Sequence, residues 1–130
     1  MVFLLDTNIC LAFAHARSSR LLHRMEAQAD GSMAMSAITY AELAVGARRS
    51  SSRADRENLE ALIGIVRVLP FESAAAQRYG ALVREIGVKR HSFDRLIAAH
   101  ALAAVATLVT NNERDFTDVP GLAIENWTRP

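Results

Sequence analysis

Short apolar runs alternate along this chain with longer stretches in which apolar residues recur every three or four positions. That alternation predicts parallel strands buried on both faces, joined by helices that cover the sheet. Residues 2–5 (VFLL) form the first expected strand, 33–35 the second, 67–69 the third, 107–109 the fourth and 122–127 the fifth. Helical spacing covers 7–16, 18–29, 39–49, 53–65, 73–86 and 93–104. Leu21, Leu22 and Met25 share one face of the second helix, and Tyr79, Leu82, Val83 and Ile86 share one face of the fifth. Asp30, Gly31 and Gly87 read as helix stops, and the serines at 50–52 as a junction between two helices. The fold class is α/β. No repeat, linker or low-complexity tract divides the 130 residues, which suit one domain.

Composition changes this picture little. Hydrophobic residues make up 51% of the chain, enough for a substantial core and contrary to disorder. No apolar run approaches the roughly 20 residues of a membrane span, and the start lacks a signal peptide's basic flank and cleavage site, so the expected address is the cytoplasm. Cys10, the single cysteine, excludes an internal disulfide and a thiolate zinc site; beside Ile9, Leu11 and Phe13 it reads as a buried thiol. A net charge of +1 dictates no polyanionic partner, and among 15 basic residues only Lys89 is a lysine.

The acids carry the chemistry. Asp6 ends the first strand, and in open α/β sheets ligands bind beyond the carboxyl ends of the strands. It also suits a helix N-cap, a task that Thr7 or Asn8 could take over and so free it. Glu42, in SAITYAEL, lies near the start of the helix after strand two. Thr39-x-x-Glu42 has capping-box spacing, but the apolar neighbours imply burial, where a lone glutamate is expensive. Asp94, in HSFDRLIAAHAL, opens an apolar helix, where the helix dipole favours an acid and Ser92 is a candidate cap; His100 reads as a core or interface histidine rather than a partner of Asp94. TLVTNNERDF places Thr110, Asn111, Asn112, Glu113 and Asp115 beyond strand four, with an Asn-Asn turn as the plainer reading. Taken together, Asp6, Glu42, Asp94 and Asp115 map to one edge of one sheet. Carboxylates converging there without paired lysines repel unless a divalent cation neutralises them, and such a set of oxygens suits Mg²⁺ or Mn²⁺.

LLDTN, SAITYAELAVG, FDRLIAAHAL, LVTNNERDF and PGLAIENW, in this order and spacing, resemble the PIN-domain ribonucleases, specifically the VapC-type toxins of bacterial toxin–antitoxin pairs. The resemblance spans nearly the whole chain. It implies a five-stranded parallel sheet in the order 3-2-1-4-5, flanked by helices, with acids gathered around one or two Mg²⁺ or Mn²⁺ ions. Asp6, Glu42 and Asp94 match the acids of the first three motifs. At the fourth, Asp115 is assigned as the acid, reaching the metal directly or through water, and Asn112 as an accessory group. The implied reaction is metal-dependent hydrolysis of an RNA phosphodiester to a 5′-phosphate and a 3′-hydroxyl. Thr7, Asn8, Thr39 and Thr110 would orient carboxylates or touch phosphate.

Lys89, Arg90 and His91 are candidate RNA contacts, whereas Arg48, Arg49, Arg53 and Arg56 read better as solvated helix ends. With aromatics at only 6%, a structured RNA such as a transfer RNA suits the chain better than a stacked single strand. The resemblance further implies a VapB-type antitoxin lying over the acidic pocket, promoter DNA bound only through that antitoxin, and a homodimer. Ile9, Phe13, Leu21 and Leu22 are candidates for such contacts or for core. Two rivals remain: a PIN-like module that binds without catalysis, and a haloacid-dehalogenase-type phosphatase. The latter needs an acid at Asn8 and a catalytic lysine that this chain lacks.

Overall fold

A computed structural model describes residues 2–49 and 52–130. The order is β1 (Phe3–Leu5), α1 (Thr7–Ala14), α2 (Ser19–Glu26), β2 (Met33–Ser36), α3 (Ala37–Arg49), α4 (Arg53–Ile65), β3 (Arg67–Leu69), α5 (Ser73–Ile86), α6 (Asp94–Ala103), β4 (Thr107–Val109) and β5 (Ile124–Glu125). All strand pairings are parallel, in the order β3-β2-β1-β4-β5. This is the expected topology.

The sheet separates two cores, and β1 shows why its strands read as unbroken apolar runs. Phe3 and Leu5 enter one cluster with Ile9, Leu21, Met25, Leu62 and Trp127, while Leu4 enters the other with Leu82, Ile97, Ala98 and Phe116. In the same way β2 sends Met33 and Met35 to the first face and Ala34 to the second. Successive strand side chains point to opposite faces, so a strand covered on both must be apolar at every position. Register pairs Phe3 with Met33 and Thr107, which brings the carboxyl ends of β1, β2 and β4 to one edge.

Several boundaries move. α1 stops at Ala14 rather than 16 because the chain turns there, with Ala16 at φ 52°. α2 is shorter than 18–29: Ser18 caps it by accepting the Leu21 N–H. α3 begins two residues before 39. β5 is confined to Ile124–Glu125 because Trp127 leaves the sheet to pack edge-on against Phe3, 5.0 Å between ring centres. Residues 113–115 form a 3-10 turn. Of the junction at 50–52, Ser50 and Ser51 lie outside the described residues; Ser52 caps α4 through the Asp55 N–H. Among the described residues no helix is long and apolar enough to cross a membrane.

Candidate functional site

Asp6 directly follows β1. Its N–H still bonds the Val109 carbonyl at 3.0 Å, so the sheet holds the residue firmly, and it is only 3% exposed. One carboxylate oxygen accepts the Ile9 N–H at 2.9 Å, making Asp6 itself the N-cap of α1. The alternative in which Thr7 or Asn8 caps and frees Asp6 is therefore corrected. Thr110, one residue beyond β4 and fully buried, hydrogen-bonds the same carboxylate. Burial, opposed by those two hydrogen bonds and reinforced by the charges of Asp94 and Glu42, pushes the Asp6 pKa up to about 6. Asp6 thus feels the charges of two of the other three expected acids.

Glu42 is held from across the sheet edge. The Thr7 hydroxyl lies 2.7 Å from Glu42 Oε1 and 3.3 Å from Thr39 Oγ1; with one proton to give, it donates to the carboxylate. The capping-box reading of Thr39 and Glu42 fails because α3 starts at Ala37, which puts Thr39 inside the first turn, fully buried and facing Thr7. Asp94 opens α6; the N-cap is Phe93, without a side-chain cap bond, rather than the expected Ser92, whose Oγ instead accepts the Asp94 N–H at 3.1 Å in a local turn just before the helix.

At the fourth position Asn112 donates to Asp115, and Thr110 Oγ1 accepts the Asn112 N–H at 3.0 Å. The turn therefore aims Asp115 through its own side-chain bonds. Glu113 faces elsewhere, toward Asn126 at 3.0 Å. Asn8 and Asn111 are exposed.

Lys89 corrects the expectation of acids without a paired lysine. Its ammonium lies 3.3 Å from Asp94 Oδ2, 3.1 Å from Asp115 Oδ1 and 3.4 Å from the Asp115 carbonyl. Partial burial works against its charge, but the hydrogen bonds to Asp115 and Asp94 prevail and hold its pKa above the ordinary lysine range. Lys89 is thus an inward-facing partner of the acids, while Arg90 and His91 stand exposed at the rim. Arg53 pairs with Glu57 at 3.0 Å on the surface of α4, as a solvated helix end; the side chains of Arg48 and Arg49 lie outside the described residues.

Sequence reasoning missed Arg95. Its guanidinium grips Asp118 through two bonds, 2.8 and 2.9 Å, and this fork ties the start of α6 to the turn that carries Asp115. An arginine in an otherwise apolar helix, beside a candidate ligand, was the available signal. His100 is buried and bonded to Ser36 Oγ at 2.7 Å, and burial lowers its pKa. Burial likewise pushes the Cys10 thiol up, with Asp6 adding to it. Both are core residues, as read.

All four acids offer oxygen alone, the donor that Mg²⁺ and Mn²⁺ take, and the Asp6 pKa is raised chiefly by burial, with the charges of Asp94 and Glu42 adding to it. The set fits such an ion in donor type and charge. In the conformation seen, Glu42 is engaged by Thr7, and Asp94 and Asp115 by Lys89. Among the described residues no three His, Cys, Asp or Glu side chains form a ready cage, so holding an ion requires rearrangement of these side chains.

A helix-flanked parallel sheet in the order 3-2-1-4-5, with acids meeting at its carboxyl edge, defines a class of fold and site, and the PIN domain family matches residues 3–122. Ribonuclease VapC2 of Rickettsia felis is 33% identical over 134 residues, covering 99% of this chain and 100% of its own. The tRNA(fMet)-specific endonuclease VapC of Shigella flexneri is 35% identical over 132 residues, covering 97% and 98%. Among solved structures, VapBC2 from Rickettsia felis bound to a DNA fragment from its promoter superimposes with a TM-score of 0.87 at 32% identity, covering 98% of this chain and 99% of that one. The chain belongs to the PIN-domain family, in its VapC ribonuclease branch.

Proposed function

We propose that this chain is a Mg²⁺- or Mn²⁺-dependent endoribonuclease toxin that hydrolyses phosphodiester bonds of a structured RNA, such as a tRNA, and is silenced by a VapB-type antitoxin. The observation that carries the reading is the buried Asp6 carboxylate at the end of β1, with Glu42 and Asp94 near enough to raise its pKa. A divalent ion held by Asp6, Glu42 and Asp94 would supply positive charge among these acids and the activation of a water for in-line attack on phosphorus.

The chain's own residues fix the acids. Thr110 and the start of α1 hold Asp6, Thr7 turns Glu42, and Asn112 turns Asp115. Arg90 and His91, exposed on the same loop as Lys89, would meet phosphate at the rim. The expected products are a 5′-phosphate and a 3′-hydroxyl.

Ile9 and Leu21 prove to be core. Phe13 and Leu22, with an edge of Leu21, line a groove of about 310 Å³ with Ala12, Ala16 and Asn58. An apolar segment of the antitoxin suits that groove. Relatives that appear as VapBC complexes support such a partner, and promoter DNA would be bound through it. The free chain is proposed to pair with itself.

Total RNA incubated with purified chain tests the reading. Cleavage is expected with Mg²⁺ or Mn²⁺, none with chelator, and none from Asp6→Asn. RNA left intact under both metals would favour a binding module acting through its partner.

A further inference from the structure

We propose that Lys89 is a built-in cation of this site, standing where a second divalent ion would have to sit between Asp94 and Asp115, so that the site takes one divalent ion rather than two. The inference rests on the metal-dependent reading above and adds the number of ions and the task of Asp115.

Lys89 is the only lysine of the chain, against fourteen arginines. Its compact ammonium has three protons, and three oxygens stand ready: Asp94 Oδ2 at 3.3 Å, Asp115 Oδ1 at 3.1 Å and the Asp115 carbonyl at 3.4 Å. The loop after α5 is bent to deliver it. Gly87 leaves the helix at φ 84° and His91 turns again at φ 60°, a left-handed conformation uncommon outside glycine. Between these two turns Lys89 is half-buried among the acids while its neighbours Arg90 and His91 face solvent. A guanidinium would spread its charge over a plane, whereas an ammonium fills the volume of a small ion.

Two-metal sites hold their ions about 3.5–4 Å apart, clamped by carboxylates that both ions need. An ion bridging Asp94 and Asp115 would need the oxygens that Lys89 engages, at about 2.0–2.1 Å for Mg²⁺. It would also lie against the ammonium itself. The other half of the site differs: among the described residues no ion pair reaches Asp6 or Glu42, whose partners are neutral hydroxyls and a backbone N–H. One divalent ion therefore belongs with Asp6, Glu42 and the side of Asp94 away from Lys89. Asp115, shortened to aspartate, seats the lysine instead of ligating metal.

Binding of Mn²⁺ to the full chain, read from loss of the free-ion signal in electron paramagnetic resonance, tests this with wild type, Lys89→Met, Lys89→Ala and Lys89→Arg, each checked for folding by circular dichroism. Wild type and Lys89→Arg should saturate at one Mn²⁺ per chain, and the two neutral variants at two. Two ions in wild type would overturn the inference even if the neutral variants failed to fold. So would a single ion in folded Lys89→Met or Lys89→Ala. No Mn²⁺ bound by any of the four would instead contradict the metal-dependent reading itself.

Discussion

Asp6 has to cap a helix and carry surplus charge with one carboxylate, and the two demands have opposite signs. The bond from the Ile9 N–H favours the anion; burial and the fields of Asp94 and Glu42 oppose it and win, so the pKa rises from 3.8 to about 6. A folded-state pKa above the unfolded one means that the native chain binds the extra proton between those values. Stability without divalent ions should therefore be fullest below pH 4 and fall as pH rises through 6, by roughly 3 kcal/mol from this group. Thermal melts from pH 4 to 7.5 should show that decline, flattened in Asp6→Asn and reversed at pH 7.5 by Mg²⁺ or Mn²⁺; a variant with the wild-type slope would contradict the assignment. Thr7 acts differently, since its hydroxyl orients Glu42 rather than bearing charge. Thr7→Val should slow single-turnover RNA cleavage about 10- to 100-fold while costing only about 1 kcal/mol of stability.

α6 and the turn at 113–118 each carry an acid of the site, and the Arg95–Asp118 fork is what joins them. Arg95 is 8% exposed with its Nε buried and without a partner among the described residues, a cost tolerable only because the two terminal nitrogens are well matched. Arg95→Met should keep the packing of α6 and free the turn. A stability loss of about 2 kcal/mol and faster amide exchange at 113–118 are expected, against unchanged exchange if the turn holds itself. Elements of this kind were legible where burial on two faces forces an apolar run, as at Phe3–Leu5 and Thr107–Val109. Boundaries were not legible where a distant partner sets them. Trp127 shortens β5 by packing on Phe3, more than a hundred residues away, and α3 starts early so that Thr39 can meet Thr7.

Parallel register brings the ends of β1, β2 and β4 to one edge, and the acids that follow them converge because of it. That much could be read from Asp6, Glu42, Asp94 and Asp115, each placed at or just after an expected strand or helix start. Lys89 could not be read so, because its partners lie 5 and 26 residues away in separate segments, and a lone lysine in a polar loop looks like a phosphate contact. The apolar groove at Phe13 and Leu22 leads to an expectation about assembly: Phe13→Asp should weaken co-purification with the antitoxin at least tenfold without lowering RNA cleavage by the free chain. The most direct measurement of the central claim is cleavage of a purified tRNA by the free chain across a Mn²⁺ titration, with the product ends analysed. Cleavage that rises from nothing with Mn²⁺, yields 5′-phosphate ends and disappears in Asp6→Asn is the predicted result; cleavage indifferent to metal, or surviving loss of the Asp6 carboxylate, would contradict it.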